Sequence, residues 1–141
     1  MNKPEISGNI IVIPSKSVFV AAVDDFVYEM FGKAGITRSQ IADFAISISE
    51  MVNNAITHGN SSRPEKTVTV KIDIEQETAR ISIKDQGTGF DPDSVPNPVE
   101  KNNLLKQVGR GIFIVRSLMD SVDFYYTGSG TEVILRKKIK N

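Results

Sequence analysis

The stretch TRSQIADFAISISEMVNNAITHG, Thr37–Gly59, decides the fold: it holds a complete helix start, a long apolar stripe, and polar groups that the stripe does not need. Thr37 and Gln40 have the spacing of a capping box, and Ile36 and Ile41 occupy the two positions of a hydrophobic staple, so a helix is expected from about Arg38. Ile41, Phe44, Ala45, Ile48, Val52, Ala55 and Ile56 recur at three and four, and Gly59 is placed to end the helix. Glu50 and Asn54 lie one turn apart on a different side. A carboxylate and an amide so placed either face solvent or serve a site, and the rest of the chain bears on which.

Working outward, Gly8–Ile13 is rich in isoleucine and valine before Pro14 and suits a short strand. From Lys16 to Phe31, residues Phe19, Ala22, Val23, Phe26, Val27 and Met30 have helical spacing, closed by Gly32 and Gly35. Beyond Gly59, Val68, Val70, Ile72 and Ile74 alternate with Thr69, Lys71 and Asp73. Ala79, Ile81 and Ile83 repeat the alternation after a tight connection, which predicts a hairpin with one wet face. Continuing period two puts Asp85 on the core side where the strand stops.

Gln86 to Val108, with Gly87, Gly89, Pro92, Pro96 and Pro98, reads as a long loop, and such loops in small domains are more often functional than idle. Gly109-Arg110-Gly111 then reads as a turn opening a helix with Ile112, Val115, Leu118 and Met119, and two strands flank Thr127-Gly128-Ser129-Gly130. The order β, α, α, β, β, loop, α, β, β predicts one α+β domain over residues 1–141. The expected architecture is a two-layer α/β sandwich, its mixed, mostly antiparallel sheet covered on one face by helices.

Composition narrows the function. The 17 basic and 17 acidic side chains balance, so no whole-molecule field draws the chain to nucleic acid or an anionic membrane, and neither is expected as a partner. The basic tail Arg136, Lys137, Lys138 and Lys140 reads as a solvated run. Cysteine is absent, which removes disulfides, thiolate catalysis and thiolate metal sites and suits a reducing cytoplasm. The longest apolar run, Val18–Val23, is far short of the roughly 20 residues that span a bilayer.

Three separated pieces share one chemical description. A buried carboxylate at Asp85 must be paired, hydrated or used; it either caps its own turn or accepts a hydrogen bond from a ligand amine, such as the exocyclic amino group of a purine. Gly87 and Gly89 would let backbone approach a flat ring. Gly109-x-Gly111 ahead of a helix would offer free N–H groups to phosphate. No Gly-x-x-x-x-Gly-Lys-Ser/Thr run and no Gly-x-Gly-x-x-Gly fingerprint occurs, which disfavours a P-loop and a Rossmann site. The Asn54 oxygen suits Mg²⁺, which takes much of its shell from water and phosphate, and Glu50 one turn earlier suits proton abstraction.

Together these pieces resemble the nucleotide site of the GHKL superfamily. Glu50–Gly59 is similar to its N box, Asp85-Gln86-Gly87-Thr88-Gly89-Phe90 to its first glycine box, Gly109-Arg110-Gly111-Ile112 to its second, and Gly128-Ser129-Gly130-Thr131 to its last. Within the superfamily, the ending Asn-Ala-x-x-His-Gly and the run Gly109–Asp120 look most like bacterial anti-sigma-factor serine/threonine kinases of the RsbW type. The resemblance implies ATP and Mg²⁺ as cofactors, Asn54 as metal ligand, Glu50 as general base and Asp85 as reader of adenine. Gly87, Gly89, Gly109, Gly111 and Thr131 would line the pocket, with Pro92–Val108 as a lid over it. It also implies an anti-anti-sigma antagonist as substrate, a sigma factor as second partner, and a homodimer. Kinases of this type carry a lid arginine that reaches the γ-phosphate, whereas Gln107 stands there in this chain, leaving Lys106 or Arg110 to substitute. Besides protein phosphorylation, a regulator-binding module gated by nucleotide and an ATP-hydrolysing domain stay open. His58 is the single histidine, which excludes a separate phospho-acceptor histidine; it reads as a helix-terminal residue favoured by the dipole, or as a general acid or metal ligand.

Overall fold

A computed structural model describes residues 1–87 and 98–139, apart from the side chains at 98–105 and 107. The chain runs through β1 (Glu5–Ser7), β2 (Ile10–Pro14), α1 (Val20–Lys33), α2 (Arg38–Asn54), β3 (Thr67–Glu75), β4 (Thr78–Lys84), α3 (Pro98–Leu118), β5 (Ser121–Thr127) and β6 (Gly130–Lys138). Among these residues the strands form one six-stranded sheet in the order β1-β2-β3-β4-β6-β5. Every pairing is antiparallel, so the expected mixed sheet is corrected to an antiparallel one.

The local signals act as expected in the first half. The Thr37 hydroxyl accepts the Gln40 N–H at 3.4 Å and α2 begins at Arg38. All seven stripe residues of α2 and its extension are buried, and they meet Ile11 and Ile13 of β2, Val68, Val70 and Ile72 of β3, and Ile81 and Ile83 of β4 in one core. Between α1 and α2 the rings of Phe31 and Phe44 stack, with centroids 4.3 Å apart. The β3–β4 hairpin pairs Val70 with Ile83 and Ile72 with Ile81 on the covered face. Asp73 on the open face accepts from Asn9 at 3.0 Å and sits 3.9 Å from both Lys71 and Arg80.

Two expectations change. The segment expected as loop up to Val108 is helical from Pro98, and Gly109–Gly111, expected as a turn that opens a helix, lies inside α3. Proline suits a first helical position, where its missing N–H costs nothing, and no proline and no glycine follows before Gly109. Val108, Ile112, Val115 and Met119 then continue one helical stripe across the glycines, so packing outweighs the roughly 1 kcal/mol that each glycine costs in a helix. β1 is an addition at the sheet edge. Gly89, the lid residues up to position 97 and Lys140 lie outside the described residues, as does the side chain of Gln107.

Candidate nucleotide site

Helix α2 does not stop at its last α-helical turn. Ala55–Gly59 widens into a π turn closed by the Asn60 N–H on the Ala55 carbonyl at 2.8 Å. Wide turns of this kind occur often at functional sites. Here the turn brings Gly59 against Asp85: a Cβ on Gly59 would collide with the Asp85 carboxylate, and one on Gly87 would collide with the Gly59 carbonyl. Both glycines therefore serve close approach of backbone.

Asp85 is 5% exposed at the end of β4. Its Oδ1 accepts the Gly87 and Thr131 N–H groups, each at 3.0 Å, and its own N–H donates to the Thr131 carbonyl at 3.0 Å. Among the described residues Oδ2 accepts no hydrogen bond. A buried carboxylate with one oxygen committed and one uncommitted is half satisfied, which fits a ligand donor at the second oxygen.

Asp85 lines a cavity of about 90 Å³. Met51, Asn54, Ala55, His58 and Gly59 wall it from α2 and the π turn, Ile83, Phe124, Tyr126, Thr131 and Val133 from the sheet, and Val108 and Ile112 from α3. The lining is largely apolar with a few polar groups, the usual make-up of a small-molecule site. Sites that enclose a whole drug-sized ligand measure roughly 300–1,000 Å³; with α3 as one wall this cavity suits a flat ring alone. Burial pushes the His58 imidazole pKa below its ordinary 6.5.

Glu50 and Asn54 meet α3 at Gly111. A Cβ built there would lie 3.0 Å from Glu50 Oε2 and 3.6 Å from Asn54 Nδ2, so the missing side chain lets α3 settle over the pair. Gly109 faces the other way, with nothing within 4 Å of a Cβ. Lys106, Gly109, Arg110 and Phe113 border an open groove on the solvent side. The structure thus gathers Asp85, Gly87, Thr131, Asn54, Glu50 and Gly111 around one cavity and its rim, and leaves Lys106, Gly109 and Arg110 outside it.

Among the described residues no group of three His, Cys, Asp or Glu side chains is placed to cage a metal. An ion at Asn54 would need most of its shell from water and phosphate, which is the habit of Mg²⁺. Asn60, which no local pattern in the sequence singles out, is 1% exposed and hydrogen-bonded through its side chain and its backbone. Its only signal is a polar residue directly after the Gly59 that closes on Asp85.

The sequence profile of the histidine kinase-like ATPase domain matches residues 13–137. The chain belongs to that family. This histidine kinase-like ATPase domain is 30% identical over 135 residues to the serine-protein kinase RsbW of Staphylococcus aureus strains MSSA476 and MW2, covering 91% of this chain and 84% of theirs. Its fold is similar to that in the crystal structure of the RsbU and RsbW domains of Rv1364c from Mycobacterium tuberculosis, with TM-score 0.68 at 19% identity. That match spans 92% of this chain and 31% of the other. The histidine kinase domain of the Erythrobacter litoralis EL346 blue-light activated histidine kinase matches at TM-score 0.56 and 18% identity, over 90% of this chain and 62% of that one. An ATPase domain of this family is a nucleotide-binding fold, and among the described residues no helix is long and apolar enough to cross a membrane.

Proposed function

We propose that this chain, as one domain over residues 1–141, is an anti-sigma-factor type serine/threonine protein kinase of a partner-switching system. It transfers the γ-phosphate of ATP to a hydroxyl of a small antagonist protein, the anti-anti-sigma factor. A sigma factor is the regulator it holds in the alternative complex, a homodimer its working form, and the cytoplasm its place. The observation that carries the reading is buried Asp85, whose Oδ2 accepts no hydrogen bond among the described residues, in a ring-sized cavity whose rim carries Glu50 and Asn54. The relatives named serine-protein kinase RsbW support the reaction class.

In this reading Asp85 Oδ2 accepts the adenine amino group, while Thr131 and Gly87 hold the carboxylate still. The triphosphate extends toward Asn54 and Gly111. Mg²⁺, held by Asn54, would neutralise charge on the phosphate oxygens as it builds in transfer. Glu50 takes the proton of the acceptor hydroxyl as the new O–P bond forms and the bond to the ADP oxygen breaks. Gly89 would line the same pocket.

The solvent-side placement of Lys106 and Arg110 favours a second reading. With neither cation at the Glu50–Asn54 rim, nucleotide binds and gates a regulator complex while transfer is slow. Labelled ATP with the candidate antagonist separates the two. Phosphoprotein that disappears in Glu50→Gln, with ATP affinity retained, supports the kinase; ATP binding with no labelled product supports the module, and free phosphate alone supports hydrolysis.

A further inference from the structure

Strand β4 pairs with β3 as far as Lys84 opposite Thr69, and two steps further the same register would set Gln86 opposite Thr67. That contact is not made backbone to backbone. The Asn60 side chain stands between them: Oδ1 accepts the Gln86 N–H at 2.8 Å, and Nδ2 donates to the Thr67 carbonyl at 2.9 Å. Its second Nδ2 hydrogen goes to Ser15 Oγ at 2.8 Å, and Ser15 Oγ donates to the Lys66 carbonyl at 2.7 Å. The Gln86 side chain closes the ring by accepting the Thr67 N–H at 2.7 Å.

We propose that Asn60 is a positioning residue for base recognition: its amide, wedged into the end of the β3–β4 ladder, fixes the Asp85–Gln86 peptide and so aims the Asp85 carboxylate at the base. This role of Asn60 rests on Asp85 being the adenine-recognising acid proposed above. Asp85 is anchored to β6 through Thr131 on one side, and on the other the next peptide N–H is held by Asn60. Asn60 also closes the π turn that presses Gly59 onto the carboxylate. One buried residue thus joins the two, its side chain holding the strand end that carries the acid and its backbone N–H closing the helix end that confines it. A fully bonded buried amide specifies a single geometry, because each partner lost leaves an unsatisfied polar group.

The test is affinity for ATP against inosine triphosphate, which carries an oxygen where ATP carries the amino group, measured by calorimetry on the wild type, Asn60→Ser and Ser15→Ala. The wild type is expected to favour ATP by about tenfold or more, the worth of one good hydrogen bond. In Asn60→Ser the ratio should fall toward one, and in Ser15→Ala, which removes one anchor of the amide, it should fall part of the way. A merely structural role would lower the melting temperature and leave the ratio intact, and that result in either folded variant overturns the proposal. Should Asn60→Ser not fold, Ser15→Ala decides on the same readout. A wild type that binds both nucleotides equally refutes base reading by Asp85 itself, and this inference falls with it.

Discussion

At Asp85 one oxygen is held by two backbone amides and the other carries no partner among the described residues, so any residue that shifts the carboxylate should change ligand affinity before it changes the fold. Gly59→Ala places a methyl on that carboxylate. It is expected to cost about 1–3 kcal/mol of stability, as overpacking does, and to weaken ATP binding by more than tenfold, read by denaturant titration and calorimetry. His58 predicts a pH effect of known sign. Burial lowers its folded-state pKa below 6.5, so the unfolded chain takes up a proton that the folded one resists. Stability is therefore complete above pH 6.5 and declines as pH falls from there toward the lowered folded-state value. Urea melts between pH 7.5 and 5.5 should show this decline, and His58→Gln should flatten it. Asp85 was legible in the sequence because strand period is strict; Asn60 was not, because its meaning lies in Ser15 and Gln86, 45 and 26 positions away.

The helices differ in what holds them. Phe44 of α2 is fully buried and stacked on Phe31, and Phe44→Ala is expected to cost about 3–5 kcal/mol in chemical denaturation. In α3, Gly109 is an exposed helix-interior glycine with room for a methyl. Gly109→Ala should raise stability by about 1 kcal/mol, seen as a higher melting temperature. If nucleotide needs the open turn that the sequence suggested there, the same variant should bind ATP more weakly. The contrast also explains what could be read in advance. The start of α2 and the β3–β4 hairpin were legible because a cap and a period-two alternation are local and redundant. The start of α3 was not, because three prolines and two glycines between positions 87 and 98 read as loop signals up to the next glycine pair. The three-residue β1 is too short for any period to show, and its partner β2 defines it.

At the scale of the whole molecule, bound nucleotide should act as a stabiliser: ATP at a hundred times its dissociation constant adds about 2.7 kcal/mol. Thermal denaturation with ATP, with and without Mg²⁺, measures it, and Asn54→Ala should remove the metal-dependent part. Sheet order carries a further consequence. β6, which follows β5 in the chain, does not sit at an edge but slots between β4 and β5, and it brings Thr131 to Asp85 across 46 positions. During synthesis, then, β4 waits with an open backbone edge, the kind of surface on which nascent chains stick to one another. The Asp85 carboxylate gains its Thr131 anchor only when β6 docks, so a growing chain that has not yet reached β6 lacks one of the two amides that hold that carboxylate.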